Sequence, residues 1–419
     1  MKIAHALFSP GISAFFFDDQ RAIKRGAPHD GFIYLGEPVT PRFRRIREAG
    51  QSISVQLILE DGQIAVGDCA AVQYSGAGGR DPLFLAADYI PVLERHVRPR
   101  LEGMEIDRFR AMVEPFMSLT VDGERLHTAL RYGLSQALLD ARAKACRRLP
   151  TEIICEEYGL PVIAERVPVF GQSGDSRYEN VDKMILKGVE VLPHGLINNI
   201  DEKLGRDGSK LREYIRWLAR RTRELAPRDD YRPTLHLDVY GTIGLAFNFD
   251  LPRITDYLAS LEADADGLPL YIEGPVDREE KPATIDSLRE ITQGLERRGS
   301  RVRIVADEWC NTYEDVKEFV DARACHMVQI KTPDLGGIQT IVDSVLYCKR
   351  HGVEAYQGGT CNETDVSARL CVHLAMAARA DRMLAKPGMG FDEGFTIVNN
   401  EMERIIRYLR WKQEGGAAR

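Results

Sequence analysis

Leu235-His236-Leu237-Asp238-Val239-Tyr240-Gly241 carries an apolar, strand-like run onto a carboxylate. The construction returns in Tyr271-Ile272-Glu273-Gly274-Pro275 and again in Ile304-Val305-Ala306-Asp307-Glu308. Glu273 follows Asp238 by 35 residues and Asp307 follows Glu273 by 34. A barrel of eight strand–helix units in about 250 residues repeats about every 31. The spacing therefore predicts three carboxylates at one height, on the C-terminal ends of three consecutive parallel strands, where barrel active sites form. Three converging carboxylates repel one another unless a cation joins them, and a hard ion such as Mg²⁺ suits an all-oxygen ligand set. A lone acid at a strand end is as readily a helix cap or a surface ion pair. Three in register are not. Glu308 beside Asp307 leaves an ambiguity, because neighbours on a strand point to opposite sides. The spacing of 34 favours Asp307.

Outward from these runs the alternation continues. Strand candidates fall at residues 167–171, 190–193, 234–240, 270–275, 303–308, 327–331, 354–359 and 383–387, separated by helical stretches. Eight such units predict an α/β parallel barrel; a doubly wound sheet is the alternative, but its Gly-rich first turn is missing. Thr284 and Thr312 stand where helix N-caps are expected, and Gly352 where a helix ends. Before residue 160 the texture differs. Residues 1–20 and 52–59 read as strands, with a turn at Glu60-Asp61-Gly62, and residues 83–97 and 125–147 read as amphipathic helices. Between them lies the glycine-rich loop Gln73–Asp81, QYSGAGGRD. It lacks both phosphate-cradle patterns, which leaves a mobile or closely approached loop.

With 419 residues, 44% of them hydrophobic and 28% charged, the chain has mass for a large core and is not a disordered one. Its 56 Lys+Arg against 63 Asp+Glu leave a net charge of −7, which argues against a nucleic-acid binder. The 36 Gly and 20 Pro fit many short strand–helix joints. No apolar run reaches bilayer length, and Pro10, Asp18 and Asp19 break the opening segment, which reads as a strand rather than a signal peptide. The eight cysteines form no CxxC pair; scattered thiols suggest a reducing cytosol and small buried side chains.

The next strand, Met327-Val328-Gln329-Ile330-Lys331, puts Gln329 and Lys331 on one face. A lysine in a barrel mouth beside a cation is pushed toward the neutral amine, the form that abstracts protons; the alternative is a salt bridge to one of the acids. His194 ends Val191-Leu192-Pro193-His194, an earlier strand across the barrel. It is either structural or a second acid–base group.

Longer words carry a resemblance. Phe17-Asp18-Asp19-Gln20-Arg21, the loop 73–82, Gln172-Ser173-Gly174-Asp175, Asp238-Val239-Tyr240-Gly241-Thr242-Ile243-Gly244 and Ala306-Asp307-Glu308-Trp309-Cys310-Asn311-Thr312 are among them. Gln329-Ile330-Lys331-Thr332-Pro333-Asp334, Gly358-Gly359-Thr360-Cys361-Asn362-Glu363-Thr364 and Lys386-Pro387-Gly388-Met389-Gly390 complete the set. Together they resemble the methylaspartate ammonia-lyases of the enolase superfamily, from residue 1 to about 407.

The resemblance implies an enolase-like fold: an α+β capping domain at 1–160 with a lid loop at about 73–82, then a modified TIM barrel, (β/α)7β, at 161–390. A C-terminal helical segment, 391–419, would pack back on the capping domain. It implies a carbon–nitrogen lyase that eliminates ammonia from (2S,3S)-3-methylaspartate to give mesaconate, through a metal-stabilised ene-diolate. Asp238, Glu273 and Asp307 would bind Mg²⁺, Lys331 would be the base, and His194 would face the other side of the substrate carbon. Gln172, Gln329, Thr360 and Cys361 would hold the carboxylates and amine, with Gln73 reaching in from the loop. Phe170, Tyr356 and Leu384 would shape a methyl pocket. K⁺ activation, a homodimer and a place in glutamate catabolism are implied as well. A racemase or dehydratase of the same superfamily would share the metal acids, but Gln329 occupies the first position of the usual KxK pair. A non-catalytic scaffold would lack a metal acid or the base, and none is missing.

Overall fold

The computed structural model describes residues 1–416. Its N-terminal region is built on an antiparallel sheet of β1 (Ile3–Asp18), β2 (Arg47–Leu59) and β3 (Ile64–Cys69), in that order. The opening segment is therefore a strand, as its sequence reads. Helix α1 (Thr128–Ala145) lies across β3 at very short range. The approach depends on glycine: a Cβ on Gly67 would lie 2.3 Å from the Gly133 carbonyl, and one on Gly133 would lie 2.5 Å from the Cys69 nitrogen.

Eight parallel strands then close a barrel: β4 (Val169–Phe170), β5 (Val191–His194), β6 (Thr234–Asp238), β7 (Leu270–Glu273), β8 (Arg303–Ala306), β9 (Met327–Ile330), β10 (Glu354–Gln357) and β11 (Arg382–Leu384). All eight sequence candidates are strands. Most end earlier than their apolar runs, because the last residues of each run have left the ladder to enter the site. Period-2 alternation fills the interior with Phe170, Val191, Tyr271, Val305, Met327, Tyr356 and Leu384, a small core of its own below the barrel mouth.

The joints mostly follow their sequence signals. Thr312 caps the helix Tyr313–Asp321 in a capping box with Asp315. Gly352, at φ +71°, follows the helix Ile338–Arg350 and its cap His351. Thr284 is a correction. It sits inside the helix Lys281–Arg297, which starts earlier with Pro282 in its first turn, and its hydroxyl accepts the Arg278 N–H at 3.0 Å.

Helix α2 (Asp365–Ala378) precedes β11, and α3 (Phe391–Trp411) follows it. The C-terminal segment, expected on the capping domain, packs chiefly along α2, with Val398, Met402, Ile405, Ile406 and Leu409 buried. This apolar stripe finds its partner on the outer ring of the barrel. Only the end turns toward the N-terminal region, where Lys412 Nζ donates to Glu152 Oε1 at 2.7 Å. Residues 417–419 of that segment lie outside the described residues. No helix among the described residues is long and apolar enough to cross a membrane.

Candidate active site

Five consecutive strands deliver five ionisable side chains to the barrel mouth. His194 ends β5, Asp238 ends β6, Glu273 ends β7, Asp307 follows β8 by one residue and Lys331 follows β9 by one. Their heights are set by stagger. Asp238 pairs with Glu273 across the ladder, but Glu273 pairs with Val305, two residues before Asp307. Tilted strands convert that shift into a common level, which equal spacing in sequence alone does not show. His194 and Lys331 are four strands apart in either direction round the closed barrel. They face each other across its mouth.

Ligand atoms of Asp238, Glu273 and Asp307 lie within 4.8 Å of one another, and all three residues are buried. Burial, reinforced by the neighbouring carboxylates, raises Asp238 well above the usual carboxylate range. Burial raises Glu273 and carries Asp307 up to about 7. Three desolvated acids that resist ionising together fit a hard divalent cation, whose charge would offset theirs. Glu308 pairs with Arg80 at 3.1 Å, and it is Asp307 that joins Asp238 and Glu273 in the carboxylate cluster.

Lys331 Nζ lies 2.8 Å from Asp307 Oδ1. Burial lowers its pKa, but Asp307, Glu308 and Asp334 outweigh that and raise it. The neutral amine expected from the sequence rested on a cation's repulsion; the protein's own charges push the other way. Opposite it, burial takes His194 down to about 4, a neutral imidazole. Its Nε2 is 3.5 Å from Asp238 Oδ2, and its Nδ1 has no protein partner.

His194, Asp238, Asp307 and Lys331 open onto a cavity of about 170 Å³, which Gln73, Gln172, Gln329, Thr360, Cys361 and Leu384 also line, with Glu273 buried behind it. The Oε1 atoms of Gln172 and Gln329 are buried without hydrogen-bond partners, as acceptors waiting for a donor would be. Gln329 donates instead to Glu273 Oε1 at 2.8 Å and to Tyr356. Phe170 and Tyr356 do not join the lining. They lie one layer down, where Phe170 stacks on His236 at 4.3 Å and the Tyr356 hydroxyl donates to Glu273 Oε1 at 2.7 Å.

Several residues at the site had no clear mark in the sequence. His236, two before Asp238 and on the same inward face, has its Nε2 2.7 Å from Glu273 Oε2. The Arg382 guanidinium, 3.2 Å from His236 Nδ1, can only donate, so Nε2 carries the proton that Glu273 receives. The loop 73–82 is pinned down. Arg80 reaches Asp334 at 2.9 Å as well as Glu308, and Asn311 donates to the Gly78 carbonyl at 2.9 Å. Lys386, fully buried, contacts Glu363, Thr332 and the Gly358 carbonyl at 2.8–3.0 Å, joining the loop after β10 to the residue after Lys331.

The family model for the methylaspartate ammonia-lyase N-terminus matches residues 1–159, and that for the C-terminus matches 161–411. The chain is 65% identical over 412 residues to the methylaspartate ammonia-lyase of Citrobacter amalonaticus, covering 98% of this chain and 100% of that one. The Citrobacter amalonaticus enzyme containing (2S,3S)-3-methylaspartic acid superposes with a TM-score of 0.97 at 65% identity, over 98% and 100% of the two chains. The β-methylaspartase of Clostridium tetanomorphum, as a Mg complex, superposes with a TM-score of 0.95 at 55% identity, over 98% and 100%. Fold, metal-ready carboxylates and full-length similarity agree, and the chain belongs to the methylaspartate ammonia-lyase family.

Proposed function

We propose that this chain catalyses the reversible, Mg²⁺-dependent elimination of ammonia from (2S,3S)-3-methylaspartate to give mesaconate. One observation carries the reading: a lysine and a histidine face each other across a cavity lined by Asp238 and Asp307, which with the buried Glu273 form a three-carboxylate cluster on adjoining strands. The Citrobacter relative's complex with this amino acid and the Clostridium relative's complex with Mg support it.

The substrate's C3 hydrogen is weakly acidic, because the group beside it is already a carboxylate. Lys331 Nζ takes that proton. The C–H electron pair passes into the adjoining carboxylate and then into a C2=C3 double bond as the C2–N bond breaks. That bond's own pair leaves with nitrogen as ammonia. Asp238, Glu273 and Asp307 would hold the ion, and Mg²⁺, when bound, supplies positive charge to the carboxylate that gains charge. Asp307 has two duties, since it is also the counter-charge of Lys331. His194, neutral and on the opposite face, is placed to take the proton of the 3R epimer. Gln172, Gln329, Thr360, Cys361 and Gln73 orient the carboxylates and amine, and Leu384 meets the methyl group. Phe170 and Tyr356 shape the pocket from beneath.

Residues 1–160 act as the capping domain with 73–82 as its lid, and 161–390 as the catalytic barrel. The family resemblance supports K⁺ activation and a homodimer, and exposed Phe32, Ile33 and Leu35 give the capping domain apolar surface to share. Eight free cysteines, seven of them buried, support a reducing cytoplasm. The substrate is an isomer of glutamate, which supports a role in glutamate catabolism. The test is direct: 3-methylaspartate, Mg²⁺ and K⁺ are mixed with the protein and the ultraviolet absorbance of an unsaturated diacid is followed. A flat trace overturns the reading.

A further inference from the structure

We infer that Asp18, braced by Arg47, is a positioning residue that fixes which end of the Gln73 amide meets the substrate, and so makes Gln73 a receiver of N–H groups at the amine end of the site. The inference rests on the reading that Gln73 reaches the substrate of the proposed reaction.

Asp18 closes β1 and pairs in register with Arg47, which opens β2. The guanidinium grips the carboxylate at both oxygens: Nε donates to Oδ1 and Nη2 to Oδ2, each at 2.7 Å. Arg47 is itself held, since Nη1 donates to the Phe32 carbonyl at 3.0 Å and the guanidinium lies 4.3 Å from the Phe32 ring centre. Asp18 is 1% exposed, so water does not compete for its oxygens. A carboxylate paired in this way has nothing to donate.

Gln73 is tied to this acceptor twice. The Asp18 backbone N–H donates to the Gln73 carbonyl at 3.0 Å, and Gln73 Nε2 donates to Asp18 Oδ2 at 2.6 Å. The two ends of an amide have nearly one shape, and their assignment comes from their partners. Here the partner admits one answer. The NH₂ end must face Asp18, and Oε1 is left on the other side, 3.5 Å from Cys361 Sγ, where both residues line the cavity. A fixed carbonyl oxygen there accepts from ammonia or an ammonium group. It gives a carboxylate nothing and repels it. Asp18, which lines the same cavity, thus decides through Gln73 that this amide serves the nitrogen rather than either carboxylate.

The test is the reverse reaction, with Mg²⁺ and K⁺ present, where ammonia and mesaconate have separate KM values. Asp18→Asn leaves one acceptor oxygen for three donors, Arg47 Nε and Nη2 and Gln73 Nε2, so the Gln73 amide is no longer held one way round. The expected result is an ammonia KM raised about tenfold or more, as loss of one hydrogen bond to a charged group implies. The mesaconate KM should stay within about twofold, and Asp18→Glu, again an acceptor only, should recover part of the loss. Equal rises in both KM values would mark general damage and overturn the inference. So would an unchanged ammonia KM in Asp18→Asn when Gln73→Ala raises it. An unchanged ammonia KM in Gln73→Ala itself would instead remove Gln73 from the amine site, and the inference with it. The unaltered chain gives a reading that no misfolded variant can spoil. The Gln73 side-chain NH₂ resonances, identified by their loss in Gln73→Ala, should exchange slowly with solvent and stay in place when mesaconate binds. Exchange at the rate of a free amide overturns the proposal.

Discussion

The two flanks of the carboxylate cluster are built on opposite electrostatic plans. On the β9 side, Lys331 stands among Asp307, Glu308 and Asp334 and is held as an ammonium. On the β5 side, His194 lies against Phe170 and Tyr240 and is held as a neutral imidazole. Burial lowers the pKa of both, so burial alone does not separate them; their neighbours do. In the proposed reaction Lys331 must first lose the counter-charge that holds its proton, whereas His194 has no extra proton to lose. Lys331 becomes a free amine only when its counter-charge is drawn elsewhere. His194 is already a base, but its low affinity for protons makes it a weak one.

The largest expected effect breaks the comparison on the lysine side. Lys331→Ala should cut turnover of (2S,3S)-3-methylaspartate by about 10²–10⁴-fold or more, the range for loss of a general base. An unchanged initial rate would remove it from that role. Next comes the cluster between the flanks. Asp238→Asn should weaken Mg²⁺ binding by more than the about 10–100-fold that loss of an outer-shell partner costs. Calorimetry giving the wild-type affinity would take Asp238 out of the metal shell.

A smaller effect sharpens the comparison through pH. Asp307, raised to about 7, carries a proton below that value and must lose it to serve as a ligand. Mg²⁺ affinity should therefore rise with pH, by at least about tenfold per unit below about 7, with at least one proton released on binding in that range. The stability of the metal-free chain has the opposite slope. A carboxyl raised in the folded state contributes stability fully present below its unfolded pKa and lost as pH climbs through about 7. Calorimetry in buffers of different ionisation enthalpy reads the proton directly, and a pH-independent affinity would sink the assignment.

What the sequence made legible on this site follows from repetition. Asp238, Glu273 and Asp307 each end an apolar run, and the barrel repeat turns that spacing into a shared position. Lys331 was legible by the same rule, one unit further on. Arg80, Asp18 and His236 were not, because each matters through a partner far along the chain. Arg80 meets Asp334 across 254 residues, and no local pattern encodes that contact. Phe170 and Tyr356 read as pocket residues but form the layer beneath it. Alternation gives their inward direction and not their depth, which depends on the stagger of the strands. The charge on Lys331 is likewise set by Asp307, Glu308 and Asp334, side chains outside its own strand run.

The smallest effect on the (2S,3S) substrate tests the histidine side. If the two flanks serve opposite faces of C3, His194→Ala removes only a wall of the cavity for that substrate, and its turnover should fall by no more than about tenfold. For the 3R epimer His194 would then be the base, and that reaction should fall by about 10²–10⁴-fold. Lys331→Ala should give the reverse pattern, so the two variants and the two epimers form a square whose diagonals differ. Equal losses for both epimers in His194→Ala would reduce His194 to a positioning group, in keeping with its contact to Asp238 at 3.5 Å. That outcome would leave one face of C3 without a base, and the chain would then deaminate only the epimer whose C3 hydrogen faces Lys331.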